Sequence, residues 1–528
     1  VRAESEGDGA STTDVLALLE RGELRRAAAV LDGLAATLGG AGGGRSAELL
    51  YLRGHHQFLA GNYAAAVQSL DRARAVAGAS DRLVSAASSL RTLAYRTAQA
   101  TQGFIERRSV DGEILVRVAP GVDEILVADS IATLERAKQV LGRELGFVFD
   151  EPLRLEIYGS PSVLAQVSPL GEQEIETSGT VALCKYNRLM IVSPRALVYG
   201  YPWLDTLTHE LTHYVISRKT RERAPLWVQE GLAKFQERRW RVAEAGAAAP
   251  LGGLTASVEQ LLRKGVLEGK LLTFQQMHPS MAKLPSQEAA ALAFGEVYSI
   301  IEWLHGRRGY EGIRLLLDGI ARGTGAVDVL GELMGIASGQ VEGAWKAWLS
   351  HRVQQRSAAR QDRAAAGGMT KRVYRSSDEA GEEGALGDIE EPKARRAARL
   401  GALLAERRRP GAAVLQYDKA AAVLPPGHRE VGQALARLYL ELGRPEQAAL
   451  VAGAVARRYP ELPGPHSLLG RALGRTAQLE RAVAAFRAAL ALNPFDPAVR
   501  CGLAEVAERS GATALATAER AVCQRLGQ

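Results

Sequence analysis

The chain has 528 residues and a mass of 56.5 kDa, more than one compact domain usually holds, so roughly two to four domains are expected. With 47% hydrophobic and 24% charged residues it is neither a disordered tail nor a membrane bundle, and no window reaches the roughly 18 uninterrupted apolar residues of a transmembrane segment. The net charge of +7 comes with 55 Arg and 11 Lys scattered along helix-like stretches, so no nucleic-acid partner is expected.

The first residues, VRAESEGDGASTT, are polar and lack the apolar run of a leader, as in a chain from which a leader has been removed or trimmed. A weak helix pair around residues 13–38 comes next. ELLYLRGHHQFLAGNYAAAVQSLDRARAV then places Gly54, Gly61, Ala66, Leu70 and Ala73 where small residues let two antiparallel helices approach closely. This spacing resembles a tetratricopeptide repeat, and residues 1–102 are expected to be an all-helical region of that kind. His55 and His56 are adjacent and point to different faces of a helix, so they read as surface or packing residues and not as metal ligands.

The texture then changes. FIERRSVDGEILVRV, residues 104–118, has two strand-like runs around an Asp111-Gly112 turn, and PLRLEIYGS, residues 152–160, alternates as a strand. A helix over about 124–145 separates them. SGTVALCKYNRLMIVSP, residues 178–194, reads as two more strands joined around Lys185–Asn187, with Cys184 a buried strand residue, and helices follow to about residue 351. Residues 103–351 are therefore expected to form one α+β domain.

The chemistry is concentrated in LDTLTHELTHYVISRKTRERAPLWVQEGLAKFQE, residues 204–237. His209 and His213 lie four apart and so share one face of a helix. Their imidazoles can occupy two corners of a Zn²⁺ tetrahedron, while Glu210, beside the first, can reach a metal-bound water. A third protein ligand is needed, and Glu230 supplies it 17 residues after His213, enough to end one helix, turn and bring back another. Pro225 suits the start of that second helix, and the small residues Gly231 and Ala233 are expected to let it pack closely against the first.

HELTH followed by PLWVQEGLAKF resembles the gluzincin peptidases, in particular the peptidase MA-like bacterial proteins, with close motif agreement over 204–237 inside a likeness spanning about 104–351. The resemblance implies a zincin-like fold, one Zn²⁺ per chain held by His209, His213 and Glu230, and Glu210 as general base. It also implies that Tyr298, 68 residues after Glu230, donates a hydrogen bond to the oxyanion, with ordinary core packing as the competing role. The strand beginning at Gly179, Thr180, Val181 and Ala182 resembles the edge on which such enzymes lay substrate backbone; its simpler reading is a bare sheet edge. Two departures stand out. No acidic cluster for a substrate's free amine is identifiable, which points to an endopeptidase. Lys234 occupies the place of an aspartate that orients a ligand histidine in thermolysin-like relatives, leaving Asp205 or Glu237 to fill that role.

Residues 352–392, basic and then acidic, read as a flexible charged linker. Beyond them, residues 393–528 carry about four further repeats: Gly470, Ala482, Phe486, Ala489 and Pro494 hold repeat offsets, and Ala436, Ala448 and Pro460 lie 34 residues before the first, second and last of these, with Gly443 in the same earlier copy. Cys501 and Cys523 fall on two helices of one hairpin, as a bridge or as free thiols. The whole reads as an α+β zincin-like metallopeptidase domain with all-α tetratricopeptide-repeat arrays at both ends. The expected function is zinc-dependent endopeptidase action on a protein or peptide substrate, with the repeats recruiting it or another protein partner. The alternative is a repeat scaffold carrying an inactive zincin-like domain. A periplasmic or secreted location is favoured, with a cytoplasmic one left open.

Overall fold

The computed structural model describes residues 11–37, 43–198, 200–241, 253–277, 287–365, 389 and 391–527. They divide into two compact units, the first drawn from within Val1–Ala196, Asp205–Gly253 and Lys264–Leu349, the second from within Leu197–Leu204, Leu254–Arg263 and Ser350–Gln528.

The first unit opens with helices α1 (Thr12–Glu20), α2 (Leu24–Thr37), α3 (Gly43–Leu59), α4 (Tyr63–Ala75) and α5 (Asp81–Ala100). Ser11 and Asp14 cap α1 reciprocally, satisfying two otherwise orphaned N–H groups. Val15, Leu31, Phe58 and Leu70 form the core of this region. A Cβ on Gly54 would lie 2.6 Å from Leu70 Cγ, which is why α3 and α4 can pack so closely. His56 Nε2 lies 3.2 Å from Leu24 O, a packing role.

The sheet has five strands, β1 (Ile105–Arg108), β2 (Ile114–Val118), β3 (Leu153–Tyr158), β4 (Ala182–Lys185) and β5 (Arg188–Val192), in the order β1-β2-β3-β5-β4. The outer pairs are antiparallel and the inner pairs parallel. Parallel neighbours need a long crossover, and α6 (Leu126–Leu145) supplies it between β2 and β3. Gly112 turns the first hairpin with φ +75°. Tyr186 and Asn187, both at positive φ, turn the second, the two-residue geometry that matches strand twist. Every residue of β5 is buried.

The N-terminal helices and the sheet belong to one unit, joined by a buried polar network. Glu156 on β3 and Arg188 on β5 are each 1% exposed. Arg188 donates to the Tyr63 hydroxyl at 2.6 Å, and Tyr63 and Tyr158 each donate to Glu156 at 2.5 Å. Arg154 donates to Leu59 O at 3.0 Å.

The later helices are α7 (Pro161–Val167), α8 (Glu172–Ser178), α9 (Trp203–Thr220), α10 (Leu226–Gln236), α11 (Ala256–Glu268), α12 (Gln287–Ala321), α13 (Ala326–Met334) and α14 (Val341–Ala365). Gly309, at φ 59° and ψ −160°, interrupts α12. The segment expected to be linker from residue 352 begins as helix, because α14 continues to Ala365; residues 366–388 lie outside the described residues.

The second unit is dominated by four helix pairs: α15 (Pro392–Glu406) with α16 (Pro410–Ala421), α17 (Arg429–Glu441) with α18 (Pro445–Arg458), α19 (Pro463–Arg475) with α20 (Leu479–Leu490), and α21 (Pro497–Arg509) with α22 (Thr513–Leu526). Five of these helices begin with Pro in the first turn, where its missing N–H costs nothing. Ala482, Phe486 and Ala489 are buried, and a Cβ on Gly470 would lie 2.7 Å from Phe486. The same unit contains Leu197–Leu204, where Tyr201 N donates to Leu492 O at 3.1 Å and Trp203 Nε1 to Leu490 O at 3.2 Å. Cys501 and Cys523 are joined as a disulfide with Cα atoms 5.2 Å apart.

Candidate metal centre

Helix α9 is buried on most of its circumference, with Leu207, Leu211, Val215 and Ile216 in the core. Its inward hydroxyls are satisfied within the helix, Thr212 donating to Thr208 O at 2.7 Å and Thr220 to Ile216 O at 2.7 Å. The chain then reverses through Arg221 and Glu222 at φ 54° and 58°, and Arg223 ties the turn to Ala321 O at 2.8 Å. Pro225 is the N-cap of α10. The close neighbour of Gly231 is α12: a Cβ there would lie 2.5 Å from Val297 O. The small residue therefore serves packing on a later helix, where the sequence led us to expect packing against α9.

These elements bring His209, His213 and Glu230 together, with one ligand atom from each within 4.8 Å of the others. His209 Nε2 and His213 Nε2 are 3.2 Å apart and lie 3.5 and 3.7 Å from Glu230 Oε2. The outward ring nitrogens have their own partners. His213 Nδ1 lies 3.2 Å from Gln229 Oε1, and His209 Nδ1 3.8 Å from Glu237 Oε2. With Nδ1 directed at an oxygen, Nε2 is the nitrogen left to bind metal. Two imidazole nitrogens and one carboxylate converging on one point fit Zn²⁺ by donor type and number.

The electrostatics agree with that donor set. Burial acts to lower the pKa of His209, but the Glu230 and Glu237 carboxylates outweigh it and raise it to about 10, so the pocket's field strongly favours a cation. Burial pushes Glu210 upward, with His213 and His209 opposing the shift. Burial also acts upward on Glu230, yet His213 and His209 hold it below the usual carboxylate range. Neighbouring acids pushed in opposite directions suit different tasks, a proton acceptor and a ligand. The Glu210 carboxylate also accepts the backbone N–H of Cys184, so β4, an outer strand of the sheet, lies beside it.

Other expected residues are placed as follows. Gly179 is the left-handed C-cap of α8 at φ +66°, and of the four residues 179–182 only Ala182 lies within β4; the strand starts later than the sequence suggests because the helix cap uses Gly179. Cys184 is half-buried. Tyr298, 3% exposed, packs against Phe235 with ring centroids 5.7 Å apart. Asp205 accepts from Trp240 Nε1 at 2.9 Å and from Arg241 at 3.0 and 2.8 Å. Gln229 was not singled out by sequence reasoning; its only signal is its place beside Glu230.

Residues 133–351 match the sequence model of the Peptidase MA superfamily, and residues 466–496 that of a tetratricopeptide repeat. No curated protein matches the chain. Among solved structures, it is similar to native leukotriene A4 hydrolase from Saccharomyces cerevisiae at 13% identity and TM-score 0.30, over 81% of this chain and 67% of that one. It is also similar to a MamA RS-1 ArsTM double mutant at 23% identity and TM-score 0.25, over 26% of this chain and 77% of that one. A third similar structure, the APC/C hetero-tetramer Cut9–Hcn1, has 13% identity and TM-score 0.21 over 94% and 82% of the two chains. Among the described residues, no helix is long and apolar enough to cross a membrane.

Proposed function

We propose that the Peptidase MA superfamily domain at residues 133–351 is a zinc-dependent metallopeptidase acting as an endopeptidase, with the tetratricopeptide repeats bringing it a protein substrate or partner. The observation that supports this best is the convergence of His209, His213 and Glu230 with a non-ligand acid, Glu210, on the same helix as both histidines. Bound there, zinc supplies Lewis acidity, polarising a carbonyl and acidifying a water. Glu210 takes the proton of the attacking water on its carboxylate and passes it to the departing amine nitrogen. Gln229 holds the His213 ring through Nδ1.

Two finer assignments belong to the same proposal. The 179–182 segment and β4 align substrate backbone beside Glu210, and the Tyr298 hydroxyl donates to the developing oxyanion. Tyr298→Phe is then expected to lower kcat with little change in KM; equal kinetics in the variant would leave Tyr298 as a packing residue.

The test of the main reading is metal analysis of purified protein with two variants. About one zinc per chain is expected, kept in Glu210→Gln with hydrolysis reduced by roughly 10²- to 10⁴-fold, and lost in His213→Ala. Unchanged cleavage by Glu210→Gln would move the chemistry elsewhere. Absence of zinc after reconstitution would leave the repeats as the functional part of a scaffold protein.

A further inference from the structure

We propose that α22, the last helix of the repeat array, is held by a redox latch: the Cys501–Cys523 disulfide fastens it to α21 in place of the packing that fastens the other pairs, and reduction of the bridge releases it. The inference is independent of the zinc reading and concerns only the repeats of the second unit.

In each of the first three pairs a glycine on the leading helix receives an apolar side chain from the second helix. A Cβ on Gly401 would lie 2.8 Å from the Tyr417 ring, one on Gly432 2.4 Å from Val455 Cγ2, and one on Gly470 2.7 Å from the Phe486 ring. All three partners are buried. Thirty-four residues after Gly470 and Phe486 stand Ala504 and Arg520. Arg520 is exposed and pairs with Glu508, also exposed, so the last pair has no ring at this position. The buried residues of α22 are Ala516 and Glu519, with Leu515 partly buried against the core. Glu519 is charged, and it is there to accept Arg500 Nη1 at 3.2 and 2.8 Å. With so little apolar surface covered, packing alone docks α22 weakly.

The disulfide stands where that packing is missing. Cys523 lies 34 residues after Ala489, a fully buried position of α20, and it joins Cys501 on α21 with a sequence separation of 22. Closing a loop of that length favours the docked helix by roughly 10²-fold. Cys501 is exposed and Cys523 half-buried, so a small dithiol can reach the bridge. Its thiolate attacks one sulfur, and its second thiol then displaces the protein from the mixed disulfide. The bridge gains two electrons and two protons to become two thiols, and the dithiol loses the same to become a disulfide. Thr513, Thr517, Arg520 and Gln524 are the exposed, polar outer face of α22, the kind of surface with which a repeat array ends. Release of α22 removes that cap and uncovers the α21 face around Arg500, which is 2% exposed in the latched form.

The experiment is hydrogen–deuterium exchange of the full-length protein, read peptide by peptide with and without dithiothreitol, after a thiol titration in denaturant. One free thiol, that of Cys184, is expected before reduction and three after it. Reduction is expected to speed exchange in residues 513–526 by roughly 10²-fold, while peptides from α19 and α20 change far less. Cys501→Ser with Cys523→Ser is expected to match the reduced wild type without any reductant; if that variant does not fold, the reduced wild type carries the same comparison. Ala504→Gly with Arg520→Phe rebuilds the glycine–ring contact of the third pair, and it is expected to keep α22 protected after reduction. Three free thiols before reduction, or exchange in 513–526 that reduction leaves unchanged, would overturn the inference. So would a rise there no larger than in α20, the mark of a bridge that stabilises the whole array, or release of α22 from the rebuilt variant as complete as from the wild type.

Discussion

His209, Glu210, His213 and Glu230 are legible in the sequence because helical periodicity puts two imidazoles on one face, and the turn at Pro225 brings a carboxylate back. Gln229 is different: an amide has no single chemical signature, and only its 3.2 Å approach to His213 Nδ1 reveals its use. Gln229→Ala is expected to weaken zinc binding by roughly tenfold, less than the complete loss in His213→Ala, as chelator competition would show. Glu296 is a second residue whose environment is invisible in the sequence. It is fully buried and accepts the Leu272 N–H at 3.2 and 3.1 Å, and burial pushes its pKa from 4.5 to about 8. Because the folded value lies above the unfolded one, the folded protein binds more protons between them. This contribution to stability is full below pH 4.5 and is lost as pH rises toward about 8. Melting temperature measured from pH 5 to 9 should fall less steeply in Glu296→Gln, which keeps an acceptor for Leu272 without a titrating group.

At the scale of elements, strands and helices were largely readable from alternation and turn chemistry. Asp111-Gly112 marks the first hairpin, and the runs at 104–118, 152–160 and 178–194 contain all five strands. Boundaries were less readable: Gly179 closes α8, so β4 begins at Ala182, and nothing in the local pattern favours the cap over the strand. The partner of a small residue is likewise a tertiary matter. Gly231 is small because Val297 O of α12 crosses it, and α12 begins more than fifty residues later in the chain. Gly231→Ala is expected to destabilise the protein by about 1–3 kcal/mol through overpacking, checked by denaturant unfolding. In the last helix pair the sequence left a bridge and free thiols equally open, and the structure joins Cys501 to Cys523 across 22 residues. Closing a loop of that length removes unfolded-state entropy worth about 3 kcal/mol. Reductant, or Cys501→Ser, is expected to lower the melting temperature accordingly.

Across the whole molecule, the N-terminal helices form one unit with the sheet, through a network no periodicity could forecast. Glu156, Arg188, Tyr63 and Tyr158 come from β3, β5 and α4, and each polar atom at their meeting point depends on the others. Glu156→Ala leaves Arg188 buried beside two hydroxyls without its carboxylate. A loss of about 3–5 kcal/mol is expected, measured as a lower denaturation midpoint; a change within about 0.5 kcal/mol, as for an ordinary surface substitution, would show the network to be dispensable.

The sequence by itself determined the α+β domain between helical repeats and the convergence of two histidines and a glutamate, because both follow from local periodicities of 3.6 and 2 residues and from short, well-marked turns. Tertiary structure alone decided that α12 sets the size of Gly231, that Asp205 is spent on Trp240 and Arg241, and that Gln229 and Glu237 stand behind the histidines of the candidate metal site. Those choices depend on which distant side chains compete for one carboxylate or one gap in packing, and competition in space leaves no period in the chain.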